Sequence, residues 1–349
     1  MKNKTHTFTE TINQTLIEQM NKNNNIVCFG LGINDPKRIF GTTNNLKEKF
    51  GSDRVFDTPT SENAMTGIGI GMSLNGARPI MMHQRMDFFL LAMDQLINNA
   101  AKWKYMFGGK ETIPIVIRLI VGRGWGQGPT HSQNFQNLFA NIPGLRVYIP
   151  SLPSTARYLL IDAIKSPEPV IFIEHRWLHN IKEEYDIKKI HKPNAVNKIK
   201  NGNDITIISS SYSTIEIIKI SKELEKNNIS YDHLDINIIK PLMIDKIYKS
   251  VRKTGKLLIL DNSSHKVCSI GSEIISELIS LKKDIFKKEP IYLALPDIPS
   301  PTSFYLTKNY YNTSEKILKS VGLLLNKNIK FKNDQILHDI PDPTFKGPF

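Results

Sequence analysis

Four short segments concentrate side chains able to do chemistry. The first is Asp57-Thr58-Pro59-Thr60-Ser61-Glu62-Asn63. Here a strand ends, a proline turns the chain, and a carboxylate opens a helix. Ser61 or Thr60 reads as the helix cap, with Glu62 at the positive end of the dipole. The helix then carries Gly67, Gly69 and Gly71. Each costs about 1 kcal/mol against alanine, which points to close approach by another backbone or a ligand. The second segment is Met82-His83-Gln84-Arg85-Met86-Asp87-Phe88-Phe89. It reads either as a site at a strand's carboxyl end or as a loop with Asp87 as helix cap and two core aromatics.

The third segment runs Gly122-Arg123-Gly124-Trp125-Gly126-Gln127-Gly128-Pro129-Thr130-His131-Ser132-Gln133. It lacks the Gly-Lys-Ser/Thr ending of a phosphate-binding P-loop and the spacing of a dinucleotide fingerprint. His131 suits proton transfer, or is a structural histidine. The fourth is Ile173-Glu174-His175-Arg176-Trp177-Leu178-His179. His175 and His179 have the spacing of zinc ligands on one helix face, but a strand precedes them and no adequate helix follows. A Glu–Arg network at a subunit interface is the preferred reading, and no metal site is assigned.

The elements that must position these segments alternate. Strands are expected at Ile26–Phe29, Val55–Asp57, Pro79–Met82, Ile113–Leu119, Leu145–Ile149 and Val170–Ile173. Helices are expected from Phe8 to Met20, Ser61 to Leu74, Phe88 to Met106 and Ser154 to Ile164. This is the βαβα signature of an α/β fold with a largely parallel sheet. Residues 181–203 are Lys-rich without a sustained apolar face and read as a linker. Alternation resumes over 204–326 as a second, smaller α/β domain, and 327–349 reads as a polar tail. The expected domains are therefore 1–180 and 204–326.

Composition removes other classes. The net charge of +13 first suggests nucleic acid. The excess is, however, +6 over residues 1–180 and +7 over 181–349, and 36 of the 46 basic residues are Lys. A spread lysine excess is not a phosphate-tracking stripe, which favours Arg with interleaved aromatics, so no nucleic-acid partner is expected. Apolar runs such as Ile113–Ile117 fall far short of the ~20 residues that span a bilayer. The N-terminus has no apolar signal-peptide core. Cys28 and Cys268 are too few for a disulfide framework and read as buried, inert thiols. A soluble, reduced, cytoplasmic protein is expected.

Taken together and in order, the motifs resemble the beta subunits of thiamine-diphosphate-dependent 2-oxo acid dehydrogenases, of the pyruvate, branched-chain and acetoin types. The matching stretches are TPTSEN, HQRMDFFLLAMDQLINNAAKWKYMFGG, IPIVIRL with GRGWGQGPTHSQ, IPGLRVYIPS, KPLMIDKIYKSVRKTGKLLILD and LPDIPSPTS, within residues 5–325. The resemblance implies a transketolase-like pyrimidine-binding domain followed by a transketolase C-terminal-like domain. It implies that Glu62 hydrogen-bonds a pyrimidine nitrogen of thiamine diphosphate. A carboxylate there favours the imino form able to take the proton of the reactive thiazolium carbon, and the thiazolium is the electron sink for loss of carbon dioxide. Gln84 and Phe88 match residues beside the pyrimidine. His131 matches a histidine that faces the substrate. Arg85, Arg123 and Trp125 are substrate-pocket candidates, in a neighbourhood more polar and bulkier than in typical pyruvate enzymes.

The family holds the diphosphate and its Mg2+ through a GDG motif on an alpha subunit, and no GDG occurs here. The resemblance therefore implies a shared site, an alpha-type partner in an α2β2 assembly, and possible docking to a lipoyl acyltransferase that accepts the acyl group. Two alternatives stand beside this reading. One is a carbon–carbon transferase subunit like half of a split transketolase or deoxyxylulose phosphate synthase. The other is a non-catalytic partner subunit.

Overall fold

The computed structural model describes residues 4–124, 126–189, 193–331 and 339–340. The chain divides into two compact units. One is Met1–Val121 with Leu138–Pro193, and the other is Gly122–Asn137 with Asn194–Phe349.

The first unit opens with β1 (Lys4–Thr7) and α1 (Phe8–Lys22). A capping box starts α1: the Thr7 hydroxyl accepts from the Glu10 N–H, and the Glu10 carboxylate accepts from the Thr7 N–H. Apolar residues at helical spacing bury Phe8, Ile12, Leu16 and Met20 completely. Next come β2 (Ile26–Gly30), α2 (Leu46–Phe50), β3 (Val55–Asp57), α3 (Glu62–Leu74) and β4 (Arg78–His83). The expected long helix from Phe88 is instead a helical path of changing pitch. It runs through α4 (Met86–Phe89), a 3-10 turn (Leu90–Ala92), a π-helical stretch (Gln95–Ala100) and α5 (Trp103–Met106). Apolar periodicity survives such changes of pitch, so the sequence shows the path and not its breaks. The unit continues with β5 (Val116–Val121), α6 (Gln136–Ala140), which starts in the other unit, β6 (Arg146–Tyr148), α7 (Pro153–Lys165), β7 (Val170–His175) and β8 (Lys182–Tyr185).

Six strands form a parallel sheet in the order β6-β7-β5-β4-β2-β3. Both faces are covered, so its strands are near-continuous apolar runs, as in VIRLIV. Register fixes which loops meet at the carboxyl edge. Gly30 lies opposite both Asp57 and Met82, His83 opposite Leu119, and Leu119 opposite Ile173. The loops after β2, β3 and β4 therefore leave side by side.

The second unit contains β9 (Val196–Lys200), β10 (Ile205–Ser209), α8 (Tyr212–Lys219), α9 (Ser221–Lys226), β11 (Tyr231–Ile236) and a short β12 (Ile238–Lys240). It continues with α10 (Ile244–Thr254), β13 (Leu257–His265), α11 (Ile270–Leu281), β14 (Ile291–Leu295), α12 (Phe304–Tyr310) and α13 (Ser314–Leu325). Its sheet order is β14-β13-β10-β11-β9, parallel except for β9. Ile205, Ile207, Leu224, Leu258, Ile317 and Val321 centre its core.

Three stretches differ in detail from the sequence reading. The stretch 181–203 carries β8, which pairs antiparallel with β1, and β9, which edges the second sheet. Their partners lie far away in the chain, so no local apolar pattern reveals them. The polar tail is partly outside the described residues, yet Asp339 is buried. A Cβ added to Gly124 would sit 2.0 Å from the Asp339 carbonyl oxygen. Cys28 is buried, with its thiol pushed up to about 12 by loss of hydration. Cys268, expected to be buried as well, is exposed. No helix among the described residues is long and apolar enough to cross a membrane.

Candidate active site

Glu62 is the first residue of α3, directly after the β3 turn, and only 6% exposed. Ser61 occupies the N-cap position, but its side chain makes no cap hydrogen bond, so the expected hydroxyl cap is not formed. The carboxylate itself sits at the positive helix end, where the dipole favours negative charge. Of the three glycines that follow, Gly69 has an internal explanation: a Cβ there would meet Ile115 Cδ1 at 2.7 Å and Phe29 at 3.2 Å. Nothing lies within 4 Å of a Cβ at Gly71, and Gly67 would meet only Gln95, at 3.5 Å.

Asp57, at the end of β3, organises the loop after β2. Its carboxylate accepts from the backbone N–H of Ile33 (2.7 Å) and of Asn34 (3.0 Å). Local sequence does not show this role, because an aspartate before a turn is common and the N–H groups that donate to it lie over twenty residues away. Gln84 reaches the same loop, donating from Nε2 to Asp35 Oδ2 at 3.0 Å. That approach needs Gly32, where a Cβ would stand 1.9 Å from Gln84 Nε2. Arg85 donates to the Gln84 carbonyl at 3.3 Å. Phe88 is 44% exposed, while its neighbours Met86 and Phe89 are buried. Phe89 therefore fills the core role, and Phe88 presents an open aromatic face.

His83 precedes this group. It is 1% exposed, packs edge-on against Phe89 at 4.9 Å, and neither ring nitrogen has a hydrogen-bond partner. Burial holds its pKa down at about 3, so it stays neutral.

Arg123 and His131 belong to the second unit. Arg123 is 5% exposed and heavily engaged. It pairs with Glu216 Oε1 at 2.6 Å, donates to the Asn262 carbonyl at 3.2 Å, and stacks on Tyr311 at 4.3 Å. Burial alone would lower its pKa, but Glu216 holds it raised. This guanidinium pins the glycine-rich loop. His131 Nδ1 lies 2.9 Å from the Thr130 hydroxyl. Trp125 lies outside the described residues.

In the fourth segment Glu174 is part of a Glu–Arg pair inside the first unit. It is joined bidentately to Arg118 and lies 3.4 Å from His179 Nε2. Glu174 is fully buried, and every residue of β7 is buried. His175 Nδ1 instead accepts the Trp177 N–H at 3.1 Å. Among the described residues no group of three or more His, Cys, Asp or Glu is placed to hold a metal. A cavity of about 700 Å³ lined by Tyr105, Ile113, Pro143 and Pro169 opens where the chain enters β5 and β7. That is the amino edge of the sheet, away from the strand ends that carry Glu62 and Gln84.

Residues 4–181 match the transketolase pyrimidine-binding domain, and residues 194–317 match the transketolase C-terminal domain. A pyruvate dehydrogenase E1 component subunit beta from Staphylococcus epidermidis is 33% identical over 278 residues, covering 78% of this chain and 84% of the relative. The chain belongs to the beta subunits of thiamine-diphosphate-dependent 2-oxo acid dehydrogenases. The beta subunit of an acetoin:2,6-dichlorophenolindophenol oxidoreductase from Cupriavidus necator is 32% identical over 317 residues, covering 88% of this chain and 93% of the relative. A solved structure titled a split gene transketolase, inactive beta4 tetramer, superposes with a TM-score of 0.74 over 91% of this chain and 98% of its own. At 19% identity that likeness speaks for the fold.

For this family the relevant question is whether the residues suit the pyrimidine half of thiamine diphosphate. They do: a buried carboxylate at a helix N-terminus follows β3 and a half-exposed aromatic follows β4, the two parallel strands that flank β2.

Proposed function

We propose that this beta-type chain supplies the pyrimidine half of a thiamine diphosphate site, completed by an alpha-type subunit that holds the diphosphate and Mg2+, and that the assembly decarboxylates a 2-oxo acid in the cytoplasm. The cofactor, when bound, supplies the electron sink for carbon dioxide loss. Glu62 accepts a hydrogen bond from the pyrimidine and controls where its proton sits. Phe88 offers a ring face, and Gln84 a polar contact beside it. His131 moves a proton to or from the substrate. The second unit serves association into an α2β2 particle. An acyl acceptor such as a lipoyl group is consistent with relatives named as E1 components.

The observation that carries this reading is Glu62, buried at the start of α3 and aligned with the family motif. The test is co-expression with an alpha-type partner and an assay of thiamine-diphosphate-dependent carbon dioxide release from a panel of 2-oxo acids. Glu62→Gln should lower kcat by about 100-fold or more without changing the thermal midpoint, since general acid–base groups contribute 10²–10⁴. A mutant as fast as wild type removes Glu62 from the mechanism. Tight cofactor binding by the chain alone removes the shared site.

A second reading, a carbon–carbon transferase acting on a phosphorylated partner, has one observation in its favour. Arg85 and Arg176 both lie against the ring of Phe40. Ketol formation in place of acyl transfer would establish it.

A further inference from the structure

The segment that carries His131 leaves β5 at Gly122, enters α6 at Gln136, and belongs to the second unit. It holds Gly122, Gly124, Gly126 and Gly128. Glycine backbone loses more conformational freedom on ordering than any other, so such a segment keeps one shape only where side chains tie it down. Both of its ends are tied to one place. Near the start, Arg123 donates to the Asn262 carbonyl and pairs with Glu216. At the far end, Gln136 is 1% exposed and donates from Nε2 to Asp261 Oδ2 at 3.0 Å. The middle lies against Thr302, whose Oγ1 would stand 2.5 Å from a Cβ at Gly128.

Asp261 and Asn262 sit in an irregularity of β13. Its pairing with β14 runs to Leu260, breaks, and resumes at His265, and such bulges re-aim the side chains they carry. Asp261 is buried, so its acceptor sites must be filled. Oδ1 accepts from the Ser263 N–H and hydroxyl, at 3.1 and 2.6 Å, and Oδ2 accepts from the Ser264 hydroxyl and from Gln136. Asn262 is fixed independently. Its Oδ1 accepts from the Asn312 N–H and Nδ2, and its Nδ2 donates to the Asn312 carbonyl and to Glu216 Oε2, each at 2.8 Å. Glu216 thus holds Asn262 with one oxygen and Arg123 with the other. Gln136 passes the restraint back toward His131. Its Oε1 accepts from Asn134 Nδ2 at 3.1 Å, and its N–H donates to Asn134 Oδ1 at 3.0 Å.

We propose that Gln136 and Asp261 are positioning residues for His131: the bulge in β13 fixes the glycine-rich segment so that the imidazole is presented in one setting for proton transfer. The inference rests on the proposed function for the role of His131. Proton transfer demands heavy atoms about 2.6–3.2 Å apart, and misplacing a reacting group by about 1 Å costs roughly 100-fold. A segment with so many glycines does not hold that tolerance by itself. The second unit therefore contributes to the chemistry as well as to association, through a contact that touches neither cofactor nor substrate.

The test reads kcat for carbon dioxide release by the assembly with an alpha-type partner, beside amide exchange at residues 130–133 of the full chain. Gln136→Met takes one donor from Asp261 and leaves those of Ser263 and Ser264, so the bulge keeps its shape. It should lower kcat by about tenfold with KM for the 2-oxo acid little changed, and speed exchange at 130–133 by a similar factor. In a His131→Gln background it should lower kcat no further, because a residue acting through another is silent once that other is gone. Gln136→Glu alone sets two carboxylates together and should be slow. Gln136→Glu with Asp261→Asn exchanges donor for acceptor and should restore most of kcat and the slow exchange; this pair decides the matter if Gln136→Met does not fold. Gln136→Met as fast as wild type, the same fractional loss with and without His131, or unchanged exchange overturns the positioning role. If wild type releases carbon dioxide from no 2-oxo acid, the proposed function fails, and the exchange measurements alone decide whether Gln136 and Asp261 hold His131.

Discussion

Arg118 on β5 and Glu174 on β7 form a bidentate ion pair, at 2.5 and 2.9 Å, with both side chains at most 1% exposed. The pair ties two neighbouring strands of the parallel sheet together. Arg118 reaches Thr42 in the loop after β2, and Glu174 reaches His179. Burial alone would raise the Glu174 pKa, but Arg118 overrides it and holds the carboxyl well below its ordinary range.

Removing one partner should be worse than removing both. Glu174→Gln leaves a buried guanidinium without its countercharge and should cost about 3–5 kcal/mol. Arg118→Met with Glu174→Leu should unfold at higher urea than either single variant. Additive losses in that cycle would contradict the pairing.

His83 gives a pH dependence with a definite sign. Its folded pKa, about 3, lies below the usual 6.5 of an exposed histidine. Its contribution to stability is complete above pH 6.5 and is lost as pH falls toward 3, at about 1.4 kcal/mol per pH unit. At pH 5 that is roughly 2 kcal/mol. His233, buried beside Ser209 and likewise held near 3, acts in the same direction. His83→Phe should flatten, without abolishing, the decline in urea stability between pH 6.5 and 4. An unchanged slope rules His83 out as a contributor.

Arg123 predicts a local effect. Arg123→Gln strands Glu216 and frees the Tyr311 face, so the loop from Gly122 to Asn137 should loosen from the second unit. Amide exchange there should speed by at least tenfold, with the thermal midpoint falling by several degrees as about 3 kcal/mol is lost. If the loop exchanges as before, Arg123 is not its anchor.

Two glycines should respond oppositely. Gly30 has φ of 141°, and a Cβ there would stand 2.3 Å from the Met82 carbonyl oxygen. Gly30→Ala should prevent soluble expression or cost more than 3 kcal/mol, since backbone cannot yield as a side chain can. Gly71, inside α3 with nothing within 4 Å, should tolerate alanine and gain up to about 1 kcal/mol in the isolated chain. Thermal melts of the two variants decide this.

Chain-local patterns determined most of the fold. Short runs rich in apolar residues placed the parallel strands, helical spacing placed α1 and α3, and a motif placed Glu62 after β3. Each is a preference of neighbouring residues, and so is written in the sequence. Contacts between distant residues decided the rest. Antiparallel β1 and β8 pair residues as far apart as Lys4 and Tyr185, and Asp57 shapes a loop that begins before it. Arg123, a pocket candidate by its place in a glycine-rich loop, pairs with Glu216. Arg85 and Arg176 reach one ring, that of Phe40, although they follow different strands, β4 and β7, that flank β5. Charge and type are properties of a residue, but whether a charge is paired, buried or presented to a ligand depends on which neighbours the sheet order supplies.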